Sequence, residues 1–99
     1  MKVKELLTSA SKWTIRAMAR DKSDVQCTVE DSDVFCFCLL GAIYHCYDDY
    51  DDRRSVVRKV LRAINADHFE DKELAVTVWN DHPDRTFQEV KALVERLDI

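Results

Sequence analysis

Val34-Phe35-Cys36-Phe37-Cys38-Leu39-Leu40-Gly41-Ala42-Ile43-Tyr44-His45-Cys46-Tyr47 is the stretch on which the fold turns. Only Gly41 and His45 interrupt its apolar character. A helix that is apolar on nearly every face is normally surrounded by its neighbours. Gly41 costs such a helix about 1 kcal/mol relative to Ala, and with Ala42 beside it the expected reason is a close helix crossing that a larger side chain would block. Asp31, Ser32 or Asp33 stands where it can cap the N-terminus. The fold expected from this stretch is all-α: a single-domain bundle of about five helices around a buried central helix, Val34–Tyr47.

Upstream, Val3, Leu6, Leu7, Ala10, Trp13, Ala17 and Met18 follow helical steps, which predicts a first helix ending near Arg20. Ile15 falls off that stripe and marks a second contact or an exposed apolar spot. Asp21 to Ser32 is polar and acidic, anchored by Cys27 and Val29, and reads as a loop. An extended piece at Val25–Val29 would need a partner strand that the pattern does not offer.

Downstream, Asp48-Asp49-Tyr50-Asp51-Asp52 breaks the chain and supplies acids to the N-terminus of the next helix. That helix buries Val56, Val57, Val60, Leu61 and Ile64. Asn65 to Phe69 is a loop, and Asp71 caps a short helix, Lys72 to Trp79, with the apolar pattern Leu74, Ala75, Val78, Trp79. Pro83 cannot continue it. Thr86-Phe87-Gln88-Glu89 is a capping box, and it opens a last helix that buries Phe87, Val90, Leu93, Val94 and Leu97.

Ninety-nine residues make one domain, 1–99, because two would each lack a core. One Gly and one Pro argue against a turn-rich β architecture. A net charge of −4 gives no general attraction to nucleic acid or anionic membrane, and the apolar run is too short and too polar to span a bilayer. The charged N-terminus has no signal-peptide pattern. A cytoplasmic protein with reduced thiols at Cys27, Cys36, Cys38 and Cys46 is therefore expected.

The chemistry-bearing residues have competing readings. Cys36 and Cys38 point about 200° apart on a helix, and Cys38 and Cys46 lie two turns apart, so core cysteines are favoured over a zinc site. A calcium loop from Asp48 would need Gly at Arg53 and Glu at Lys59. Lys12, Arg16 and Arg20 recur every fourth residue on the first helix, as do Arg54, Arg58 and Arg62 on the third. Such rows can track phosphates, although a solvated face is favoured. The junction Trp79, Asn80, Asp81, His82, Asp84 and Arg85 gathers polar groups beside a large aromatic. Asp81 and His82 could act as an acid–base pair, or with Asp84 as a metal site. The favoured reading is structural: Asn80 and Asp81 bond backbone, Arg85 pairs with a nearby acid, and Thr86 caps a helix.

Together, Trp13 with Ala17-Met18-Ala19-Arg20-Asp21, Asp33-Val34, Phe37-Cys38-Leu39-Leu40-Gly41-Ala42-Ile43, Trp79-Asn80-Asp81, Arg85-Thr86 and Glu89-Val90 form a pattern. It resembles an uncharacterised family of small proteins from bacteria and their phages, and the resemblance spans most of the chain. Two departures are visible: Phe37 stands where the family often has Trp, and Lys22 to Asp31 lacks the usual Gly. The resemblance implies no activity, no catalytic residue and no cofactor. If the source is a phage, it implies by analogy a small acidic protein that binds and modulates a host protein.

The function expected from these residues is a non-enzymatic protein-interaction module, with Ile15, Tyr44, Tyr47, Tyr50 or the Trp79–Thr86 loop as anchors. Its partner would be a protein, with a homodimer as one form. The alternatives are a small enzyme or metal-binding protein using the junction, and nucleic-acid binding through the basic faces.

Overall fold

Five α-helices and a small sheet make up the structure, a computed structural model that describes residues 1–99. In chain order they are α1 (Val3–Leu6), β1 (Ala19–Asp21), β2 (Gln26–Cys27), β3 (Val34–Phe37), α2 (Leu39–Cys46), α3 (Tyr50–Ala63), α4 (Lys72–Asn80) and α5 (Phe87–Leu97). A 3₁₀ turn occupies Ala10–Lys12. The strands are antiparallel in the order β2-β1-β3, with Ala19 between Cys27 and Phe37 and Arg20 between Gln26 and Cys36. The fold is therefore mixed α and β, which corrects the all-α bundle expected from the apolar stretch.

That stretch divides in two. Val34–Phe37 is strand, and only Leu39–Cys46 is helix. A strand buried on both faces and a helix buried all round look alike in sequence, because neither alternates. Val34, Phe35 and Phe37 tip the first part toward a pleated surface. Cys38 makes the join: its backbone is extended and its thiol accepts the Gly41 N–H at 3.2 Å, so Cys38 takes the capping place expected of Asp31–Asp33. Asp31 instead shapes the turn before β3, its carboxylate accepting the Asp33 N–H at 2.8 Å.

The N-terminal stripe is not one helix either. α1 stops at Leu6, and Trp13 bridges Phe37 in parallel while the Thr14 N–H donates to the Phe37 carbonyl at 3.0 Å. Arg16 adopts φ 61°, a left-handed conformation no α-helix tolerates in its interior. Sheet pairing supplies this segment with the backbone bonds a helix would have given it. The extended piece near Val25–Val29 finds its partner in β1, which helical periodicity assigns to the first helix.

Gly41 does mark a close approach, but to extended chain and not to a second helix. A Cβ there would lie 1.9 Å from the Met18 carbonyl oxygen, which accepts the Cys38 N–H at 3.1 Å.

From Tyr50 onward the helices stand where the sequence places them, although Ile64 and Leu97 are only half-buried. Asp49 caps α3, which buries Val56, Val57, Val60 and Leu61 and closes in a left-handed Asn65 (φ 58°), with the Ala66 N–H reaching back to the Leu61 carbonyl at 2.8 Å. Asp71 caps α4, and Thr86 with Glu89 forms the capping box of α5. α2 lies against α1, α3 and α4, and buried apolar residues of the sheet and all five helices form one core cluster. No helix is long and apolar enough to cross a membrane.

Candidate functional site

The junction after α4 is built around Asn80, the one fully buried polar side chain. Its Oδ1 accepts the Trp13 indole N–H at 2.7 Å and the Leu39 backbone N–H at 3.0 Å. Its Nδ2 donates to the Thr14 carbonyl at 3.2 Å and to Asp81 Oδ1 at 2.9 Å. Asp81 Oδ1 also accepts the Arg16 N–H at 3.0 Å, which holds that residue in its left-handed turn. An Asn side chain offers two donors and two lone pairs, and all four are used. The pair thus bonds backbone, as expected, but on distant segments and not at its own helix end.

The rest of the junction is equally committed. The Arg85 guanidinium stacks 3.9 Å above the Trp79 ring, donates from Nε to the Trp79 carbonyl at 2.9 Å, and pairs with Glu89 at 3.0 Å. Glu89 is held below the usual carboxylate range, first by the Thr86 backbone N–H. His82 Nδ1 accepts the Asp84 N–H at 3.1 Å, and the bonds of Asp81 go to Asn80 and Arg16, not to His82. Nowhere do three His, Cys, Asp or Glu side chains converge to hold a metal ion.

The four cysteines are unbridged, with Cys36 and Cys38 buried. Burial pushes the Cys38 and Cys46 thiols up to about 11, which leaves almost no thiolate near neutral pH. His45 is exposed, with Nδ1 3.0 Å from the Val29 carbonyl and its ring beside Phe37.

Of the two basic rows, one survives. Arg54, Arg58 and Arg62 share an exposed face of α3, and with Lys59, Ser55 and Asp51 they line a shallow, wholly polar depression. Lys12, Arg16 and Arg20 do not form a row, because their segment is not helical. Lys12 sits 4.3 Å over the Phe35 ring, and Arg20 folds back onto Thr14, the Ile15 carbonyl and Asp24.

α4 carries a surface that periodicity places inside. Its inward residues are Ala75, Val76 and Asn80, whereas Leu74 and Val78 are 55% and 62% exposed. The pattern Leu74, Ala75, Val78, Trp79 is therefore largely an outward face. The signal that could have revealed this is Val76: α4 has too many apolar positions for one face, and some had to point out. Beside Leu74 and Val78 runs an open groove of about 590 Å³, walled by Ile64, Ala66 and Phe69 and ended by Trp79, His82 and Arg85. Phe69 is 51% exposed there. The groove takes in three residues of the expected junction site, while Asn80, Asp81 and Asp84 lie outside its lining. Of the other proposed anchors, Tyr44 is bonded to Glu73 at 2.6 Å, Tyr47 to the Ile99 carbonyl at 3.1 Å, and Tyr50 is open.

Fold and site together describe a small α/β protein whose polar junction clamps its own segments and whose apolar groove faces outward. The chain belongs to a family of unknown function, DUF6197, whose model matches residues 1–97. No curated protein and no solved structure matches it.

Proposed function

We propose that this protein is a non-enzymatic interaction module that docks another polypeptide in the α4 groove. The observation that carries this reading is the exposure of Phe69, Leu74 and Val78 around a concave surface. A concave surface lined mostly by apolar side chains with a few polar groups at its edge is the usual form of a binding site. Trp79 under Arg85 adds the residue types that dominate interface energetics. The junction favours the same reading, since its Asn80, Asp81 and Arg85 are engaged with the protein itself and have little capacity left for chemistry. A host protein bound and modulated by a phage-encoded copy is the biological setting we infer from the family resemblance.

The test is affinity capture with the wild type and a Leu74→Lys/Val78→Lys variant in parallel. A polypeptide, whether foreign or a second copy, that is retained by the wild type and lost from the variant supports the proposal. Equal retention by both, or retention by neither, contradicts it.

A second reading rests on the α3 row, where Arg54, Arg58, Lys59 and Arg62 are exposed and make no ion pair. It assigns this face to nucleic acid and requires a mobility shift that falls steeply with salt. The net charge of −4 favours the groove over it.

A further inference from the structure

We infer that the occupant of the α4 groove is the same groove of a second copy, the two α4 helices running antiparallel across a two-fold axis. The inference rests on the docking role proposed above and names the partner.

A two-fold interface must be complementary to itself, so residues equidistant from its centre along an element meet one another. α4 spans Lys72–Asn80, and its middle residue is Val76. The two exposed apolar side chains of the helix, Leu74 and Val78, stand two residues to either side. Antiparallel pairing centred there places each Leu74 at the level of the partner copy's Val78.

The charges of the groove obey the same symmetry. Its charged lining residues are Glu70, Asp71, His82 and Arg85. Both acids precede α4 and both bases follow it. Glu70 precedes α4 and His82 follows it, so the two-fold that pairs Leu74 with Val78 brings the carboxylate end of each copy to the imidazole end of the other, twice. His82 Nδ1 already accepts the Asp84 N–H, which leaves Nε2 as the ring nitrogen that can donate to a carboxylate. Arg85 is already paired with Glu89 and Asp71 caps α4, so Glu70 and His82 are the groups left to meet across the axis. A parallel arrangement would set acid against acid. An apolar partner of another kind would fit the floor and leave the exposed Glu70 and His82 unmatched.

The exposed apolar set is small, so the dimer belongs at the low end of interface sizes and dissociates on dilution. Sedimentation velocity over a concentration series, up to millimolar chain, is the test. The wild type is expected to pass from 11.6 kDa toward twice that mass as concentration rises. Leu74→Lys should stay at the monomer mass throughout. Glu70→Lys and His82→Glu should each weaken association about tenfold or more, by setting like charges together, and the double variant should recover it.

A wild-type monomer at every concentration would overturn the inference, as would a dimer indifferent to Leu74→Lys or a double variant no stronger than the single ones. The two proposals fail separately. A monomer that still captures a foreign polypeptide through Leu74 refutes the second copy and keeps the docking role. A protein that neither self-associates nor captures anything refutes both. All three substituted positions are exposed, so unchanged unfolding midpoints in dilute solution show that each variant is folded.

Discussion

Replacing Asn80 with Ala would strand the Trp13 indole N–H and the Leu39 backbone N–H in the interior, each without its acceptor. A buried donor left unpaired costs about 1–3 kcal/mol. Asn80→Ala is therefore expected to lose roughly 2–6 kcal/mol in urea unfolding for the two donors together. A loss below about 0.5 kcal/mol, the level of an ordinary surface change, would show that water replaces the amide. Little of this role was legible in sequence, because the bonding partners lie 41 to 67 residues away. Thr86 and Glu89 were fully legible, since a capping box closes within three residues. Arg85 falls between. Its pairing with an acid could be foreseen from Glu89 four residues on, but its stacking on Trp79 depends on how the chain turns at Pro83.

At the scale of elements, the crossing of α2 over the chain entering β1 depends on Gly41. Alanine would gain about 1 kcal/mol of helix propensity, yet its methyl would fall 1.9 Å from the Met18 carbonyl oxygen, a backbone atom with no freedom to swing aside. Overpacking of this kind costs about 1–3 kcal/mol, and the severity of the clash places Gly41→Ala on the destabilising side. A thermal melt checks the sign, and a stabilised variant would mean that β1 and α2 can part without penalty. α3, α4 and α5 could be read from the sequence because each has a local cap and a clear stripe. The first half could not, since β1, β2 and the strand Val34–Phe37 are fixed by one another and not by their own periodicity. α4 shows a subtler failure. Its existence and cap were legible, but its orientation was set by buried Asn80, a polar residue that a search for an apolar face passes over.

Across the whole molecule, the two ends of the chain are clasped. The Val3 N–H donates to the Ile99 carbonyl at 2.5 Å, Lys2 and Lys4 reach Asp98 at 2.9 and 2.5 Å, and Ile99 is buried. Lys4 and Lys2 hold the Asp98 carboxyl down from its ordinary 3.8 to about 2. A carboxylate depressed in the folded state stabilises fully above its unfolded value, and that contribution disappears as pH falls through the folded value. The clasp is thus intact above about pH 4 and lost toward pH 2. Asp98→Asn should flatten the acid limb of stability between those limits when unfolding is followed as a function of pH, and the difference should shrink in high salt, since the pair is exposed. An acid limb of unchanged slope would locate acid sensitivity elsewhere.

The account as a whole depends on the outer face of α4 being surface held open for a partner, and not core. Chemical unfolding of the Leu74→Lys/Val78→Lys variant in dilute solution, where no partner contributes, measures this directly. The expected midpoint lies within about 0.5 kcal/mol of the wild type, as for other exposed positions. A loss of about 2 kcal/mol or more, the scale of an emptied or disrupted core site, would show that these side chains hold the fold together and would contradict the account.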